Sequence, residues 1–90
     1  MKKIALVLTL MLTFAVLHAE SDGDLWASAA KAYTDRDYET AVSQYQMLVQ
    51  RGESAPLYYN YANALFKAGY TGRAILYYER ALRLDPSNRI

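Results

Sequence analysis

Ninety residues, 53% of them hydrophobic and 21% charged, make one small folding unit at most. The net charge of +1 falls to −1 once a leader at residues 1–19 takes away Lys2 and Lys3, because eight Lys or Arg then face nine Asp or Glu. No basic run remains, which excludes the electrostatic footprint of a nucleic-acid binder or of a protein that settles on anionic lipid. The chain has no cysteine, and its one histidine, His18, falls within the leader.

The leader, MKKIALVLTLMLTFAVLHAE, begins with Lys2 and Lys3, continues as an uncharged run over residues 4–17, and meets its first acid at Glu20. This layout predicts a secretory signal peptide cut after Ala19. An uncleaved membrane anchor would need roughly 20 apolar residues, and this run is shorter. Leu17, three residues before the expected cut, is larger than is usual there and leaves the bond itself open. The expected destination is the periplasm, with the outer surface as the alternative. Membrane contact is expected only through the leader, before cleavage.

Beyond the leader, apolar residues recur at three and four, as in Ala29, Ala32 and Tyr33, or Ala41, Tyr45, Leu48 and Val49. The spacing predicts helices near 23–35, 38–51, 56–68 and 72–84. Asp22 or Ser21 is suited to cap the first, Asp37 the second, Ser54 the third with Pro56 in its opening turn, and Thr71 the fourth. Gly52 and Gly69 stand where chains leave helices through a left-handed residue, and Asp85 with Pro86 closes the last. Such short links force antiparallel neighbours, so the prediction is two helical hairpins side by side.

Sliding the chain by 33 positions pairs Leu25 with Tyr58, Trp26 with Tyr59, Ala29 with Ala62, Tyr33 with Phe66, Ala41 with Ala74, Val42 with Ile75 and Tyr45 with Tyr78. A repeat of this period predicts an all-α solenoid of stacked units. Ala29 facing Ala41, and Ala62 facing Ala74, would let the helices of each hairpin approach closely. Ala81 is expected to do the same toward a following helix.

These residues resemble the tetratricopeptide repeat. Residues 55–88, APLYYNYANALFKAGYTGRAILYYERALRLDPSN, carry Ala62, Gly69, Ala74, Tyr78, Ala81 and Pro86 at the positions that define it. The first unit has Ala29, Tyr38, Ala41 and Tyr45. It departs at Leu48 where a small residue is usual, at Arg36 where glycine is usual, and at Glu53 where proline is usual. The expected division is a leader at 1–19, a degenerate first repeat at 20–54, a second repeat at 55–88, and terminal residues 89–90. More narrowly, LYYNYANALFKAG followed by AILYYERALRLDP, behind a signal peptide and a degenerate first repeat, is similar to the exported repeat proteins of Bacteroides aerotolerance (Bat) operons. That likeness implies a part in an envelope complex linked to stress tolerance.

The family resemblance also implies a concave groove, lined by the first helix of each hairpin, that receives peptides. Carried over by position, the groove is Trp26, Tyr33, Ala30 and Thr34 in the first unit, and Tyr59, Asn60, Asn63, Phe66 and Lys67 in the second. Trp and Tyr are favoured interface anchors, and Asn amides can bond a peptide backbone. The alternative is that Tyr33 and Phe66 pack inside. The resemblance offers a second mode, capture of a terminal carboxylate, but Trp26 and Ala30 stand where Lys and Asn would be required.

At about 100° per residue, Leu84, Tyr77, Ala81, Ala74, Tyr78, Leu82 and Ile75 cover about half of the last helix. One antiparallel neighbour does not use so much. Ile75 and Leu82 are therefore expected to dock onto a second copy or another protein, and Leu76 adds to the exposed load.

The remaining chain has no phosphate-binding loop and no metal-ligand set. The pairs Asp22 with Asp24 and Asp35 with Asp37 read as helix-start acids that offset the dipole rather than as an acid and base. The expectation is a non-catalytic module with a protein or peptide partner, no cofactor, and no small-molecule substrate. The rival is a structural subunit that self-assembles through the last helix.

Overall fold

The computed structural model describes residues 21–87. The expected leader, Glu20 of the first unit, Asn88 of the second and the terminal residues 89–90 lie outside the described residues. Four helices follow one another: α1 (Asp22–Thr34), α2 (Tyr38–Arg51), α3 (Ala55–Lys67) and α4 (Thr71–Leu84). There is no strand among the described residues, and no helix there is long and apolar enough to cross a membrane. α1 packs on α2, α3 on α4, and α3 also against α2, so two hairpins stack as an all-α helical repeat.

Three helix starts follow the expected chemistry. The side chains of Ser21, Asp37 and Ser54 accept from the backbone N–H of Asp24, Thr40 and Leu57 at 3.2, 3.4 and 3.2 Å. Each cap satisfies a donor that the first turn leaves over and is worth about 1 kcal/mol. Between Ser21 and Asp22, the serine is the cap of α1.

The fourth start differs from the expectation. Thr71 is already inside the helix; Tyr70 holds the cap position, with no side-chain cap bond. The link before it is too tight to leave Thr71 outside, since the Tyr70 carbonyl already accepts from Ala74 N–H at 3.0 Å. The Tyr70 phenol instead donates to Glu39 Oε2 on α2 at 3.3 Å, joining the starts of the second and fourth helices.

Both hairpins turn by the same device. In the first, Arg36 N–H donates to Tyr33 O and Asp37 N–H to Ala32 O; in the second, Gly69 N–H donates to Phe66 O and Tyr70 N–H to Leu65 O. This double closure requires a left-handed residue after the helix. Gly69 supplies it at φ 97°, and Arg36, a residue with a Cβ, supplies it at φ 64°. Gly52 does not: its φ of 170° is extended backbone, so the link between hairpins leaves α2 straight rather than through a left-handed turn.

The crossings are lined as the repeat predicted. Ala29, Ala41, Ala62 and Ala74 are all fully buried. Ala81 is buried as well, with α3 as the neighbour of α4, so it is already used without any following helix. Tyr61, Leu25 and Leu65 are the largest fully buried side chains, each stabilising by roughly 1.5–3 kcal/mol through area removed from water. The amide oxygen of Gln44 is buried without a hydrogen-bond partner among the described residues.

Candidate protein-binding surface

Helix geometry divides the α3 residues into three places, two of which hold the groove candidates. With about 100° between successive residues, Asn60, Asn63 and Lys67 share one side of α3. Tyr59 and Phe66 share the adjoining side, and the Tyr59 ring faces Tyr78 of α4. Leu57, Tyr61 and Ala64 lie on the buried side, in the core shared with the first hairpin.

Trp26 stands apart from the α3 residues. Half-buried, it meets Tyr45 edge-on at 5.8 Å and lines a recess with Leu48 and Arg51 of α2, the Gly52–Ser54 link and Leu57 of α3. It thus leans into the junction where α1 begins, α2 ends and α3 begins. The Arg51 guanidinium spans the same end, donating to Asp22 Oδ1 at 2.7 Å.

Tyr33, Tyr59 and Asn63 gather around the seam between hairpins. Tyr33 is half-buried and meets Tyr38 edge-on at 5.5 Å; it does not enter the fully buried core. Tyr59 lies 5.9 Å from Tyr78, ring to ring, and the Tyr78 hydroxyl donates to Asn63 Oδ1. The phenols are close enough to affect one another. Burial pushes the Tyr78 hydroxyl up, and the nearby Tyr59 and Tyr33 hydroxyls push it further. Burial likewise raises Tyr45, with Tyr33 adding to it.

Phe66 is 54% exposed, so the alternative in which it packs inside is not met. Lys67 is exposed in the last turn of α3, and Asn60 is half-buried. On α4, Ile75 and Leu82 are exposed as expected, as is Leu76.

A second aromatic cluster was not read from the sequence as a unit. Tyr77 sits between Tyr58 at 5.4 Å and Tyr61 at 4.6 Å, with the Arg80 guanidinium 4.8 Å from its ring. Arg73 donates to the Tyr61 hydroxyl at 2.6 Å and lies over Tyr70. The available signal was the spacing of Arg73, Tyr77 and Arg80 at four and three. Burial raises the Tyr61 hydroxyl, and Arg73 works against that rise. These contacts pair two arginines with ring faces, which ties them to the packing of α3 on α4.

Three of the four aspartates considered for acid and base work make structural contacts. Asp37 caps α2 and Asp22 pairs with Arg51. Asp35 ends α1 instead of starting a helix and pairs with Lys31 at 2.6 Å. Among the described residues no group of His, Cys, Asp or Glu could hold a metal ion.

Residues 55–88 match the tetratricopeptide repeat family. Those residues are thus similar to a repeat whose members are generally protein–protein interaction modules and typically non-catalytic scaffolds. No curated protein and no solved structure matched it.

Proposed function

We propose that this chain is an exported, non-catalytic scaffold that holds a protein or peptide partner in the groove bordered by Asn60, Asn63 and Lys67. The observation that carries this reading is the match of residues 55–88 to an interaction repeat whose groove side presents an exposed cation and two half-buried amides, with Tyr59 alongside. Asn60 and Lys67 suit an extended peptide, whose carbonyls need donors and whose acidic side chains need a cation. Asn63 contributes through its NH2, since its oxygen accepts from Tyr78.

The leader pattern at 1–19 supports export to the periplasm, and the likeness of LYYNYANALFKAG and AILYYERALRLDP to aerotolerance-operon proteins supports membership of an envelope stress complex. A photoreactive residue at Asn60 in living cells should give a defined adduct with an envelope protein, and Lys67→Glu should diminish it. Adducts at Asn60 that are unaffected by Lys67→Glu, or none at all, would remove the groove reading. The self-assembling alternative is favoured only by the exposure of Ile75 and Leu82.

A further inference from the structure

The two hairpins provide an internal comparison, because residues 33 apart occupy equivalent places. Val42 on α2 is 6% exposed, while its equivalent Ile75 on α4 is 54% exposed. Val49 is half-buried and packed on the core, and its equivalent Leu82 is 41% exposed. Tyr33 is half-buried and Phe66 bare. In the first hairpin this flank carries α3, which packs against α2. The second hairpin presents the same kind of flank with no described helix on it.

The opposite end is finished differently. Leu57, Tyr61, Ala64 and Leu65 are the α3 residues buried in the core shared with the first hairpin, and the first three share one side of the helix. The equivalents of these three on α1 are Asp24, Ser28 and Lys31, and Asp24 and Lys31 are exposed. Stacking α1 of a second copy onto Ile75 and Leu82 would bury a carboxylate and an ammonium against apolar side chains, a heavy desolvation cost. Head-to-tail self-association is therefore opposed by the chain's own surface.

We infer that the flank formed by Phe66 of α3 with Ile75, Tyr78 and Leu82 of α4 takes one amphipathic helix from another polypeptide. That helix carries large, large and small apolar side chains at i, i+4 and i+7, as Leu57, Tyr61 and Ala64 do on α3. The surface continues the α2–α3 interface by one repeat, so the occupant's chemistry is set by the helix that fills the equivalent place. It is separate from the groove residues Asn60 and Lys67.

The probe is a labelled peptide with the sequence of residues 54–68, titrated against the full chain by fluorescence anisotropy. Binding should weaken at least about tenfold with Ile75→Lys or Leu82→Lys, both at exposed positions where far-UV circular dichroism should stay unchanged. A peptide carrying Leu57→Asp and Ala64→Lys, which gives it the residues of α1, should not bind, and Lys67→Glu in the full chain should make no difference. Three results would overturn the inference: peptide binding indifferent to Ile75→Lys and Leu82→Lys, or absent; a full-chain dimer in light scattering that Leu82→Lys dissociates, which gives the flank to a second copy; or binding that appears only once residues 1–19 are removed, which gives it to the leader.

Discussion

The Tyr78 hydroxyl donates to the Asn63 amide oxygen, so a hydrogen bond joins α4 to α3 on the side of α3 that carries Asn60 and Lys67. Tyr78→Phe keeps the ring against Tyr59 and removes only this bond. The expected cost is about 1 kcal/mol in urea unfolding, with a shift of the Asn63 side-chain amide signals in NMR. An unchanged amide environment would mean that the bond is not formed in solution.

Arg36 and Gly69 perform the same turn with different backbone freedom. Arg36 pays for a left-handed conformation that costs a residue with a Cβ roughly 1 kcal/mol. Arg36→Gly should therefore stabilise by a fraction of that figure, since glycine also loosens the unfolded chain. Gly69→Ala should destabilise by about 1 kcal/mol on conformational grounds alone, because an added Cβ meets nothing within 4 Å. Midpoints of urea unfolding for the two variants should move in opposite directions.

Ala74 is fully buried where α4 crosses α3, whereas Ala27 on α1 is exposed. Ala74→Leu should destabilise by about 1–3 kcal/mol through overpacking, and Ala27→Leu by no more than about 0.5 kcal/mol. Thermal unfolding followed at 222 nm separates them. Equal effects would show that the crossing has slack.

Burial raises the hydroxyls of Tyr45, Tyr58, Tyr61 and Tyr78 above the ordinary tyrosine value. At Tyr58 the hydrogen bond to Glu53 adds to burial. Their contribution to stability is intact below the unfolded value near 10. As pH rises past it, the unfolded chain loses these protons first, and stability falls until the folded hydroxyls ionise too. Melting temperature should hold between pH 8 and 9.5 and drop by pH 11, with phenolate absorbance at 295 nm rising in step with unfolding (pH range set about the unfolded tyrosine value).

Gln44 leaves a buried amide oxygen without a partner among the described residues, at the position equivalent to Tyr77 in the second hairpin. Gln44→Met fills similar space without that oxygen and should stabilise by about 1 kcal/mol in the same urea assay.

The architecture was legible because close crossings leave little choice of side chain. Alanines at 29, 41, 62 and 74 mark places where helices touch, and Ser21, Asp37 and Ser54 mark starts whose amides need an acceptor. Thr71 misled because a good capping residue does not make a cap when the preceding link is too tight to leave it outside the helix. Gly52 misled because glycine permits left-handed backbone without requiring it, while Arg36 adopts that backbone against its type. The site was less legible. Family position assigned Tyr59 and Phe66 to the groove, yet the flank equivalent to theirs in the first hairpin is where the second hairpin packs. Only comparing Val42 with Ile75 in three dimensions shows that, among the described residues, equivalent flanks of the two hairpins are unequally covered.

The contrast between Asp24 with Lys31 at one end and Ile75 with Leu82 at the other gives the molecule a direction of growth. A designer who splices a further hairpin after α4 provides it with a ready oily seat, whereas the same hairpin placed ahead of α1 lands on charge. Arrays built from this unit should lengthen from one end alone, with the charged side of α1 closing the other.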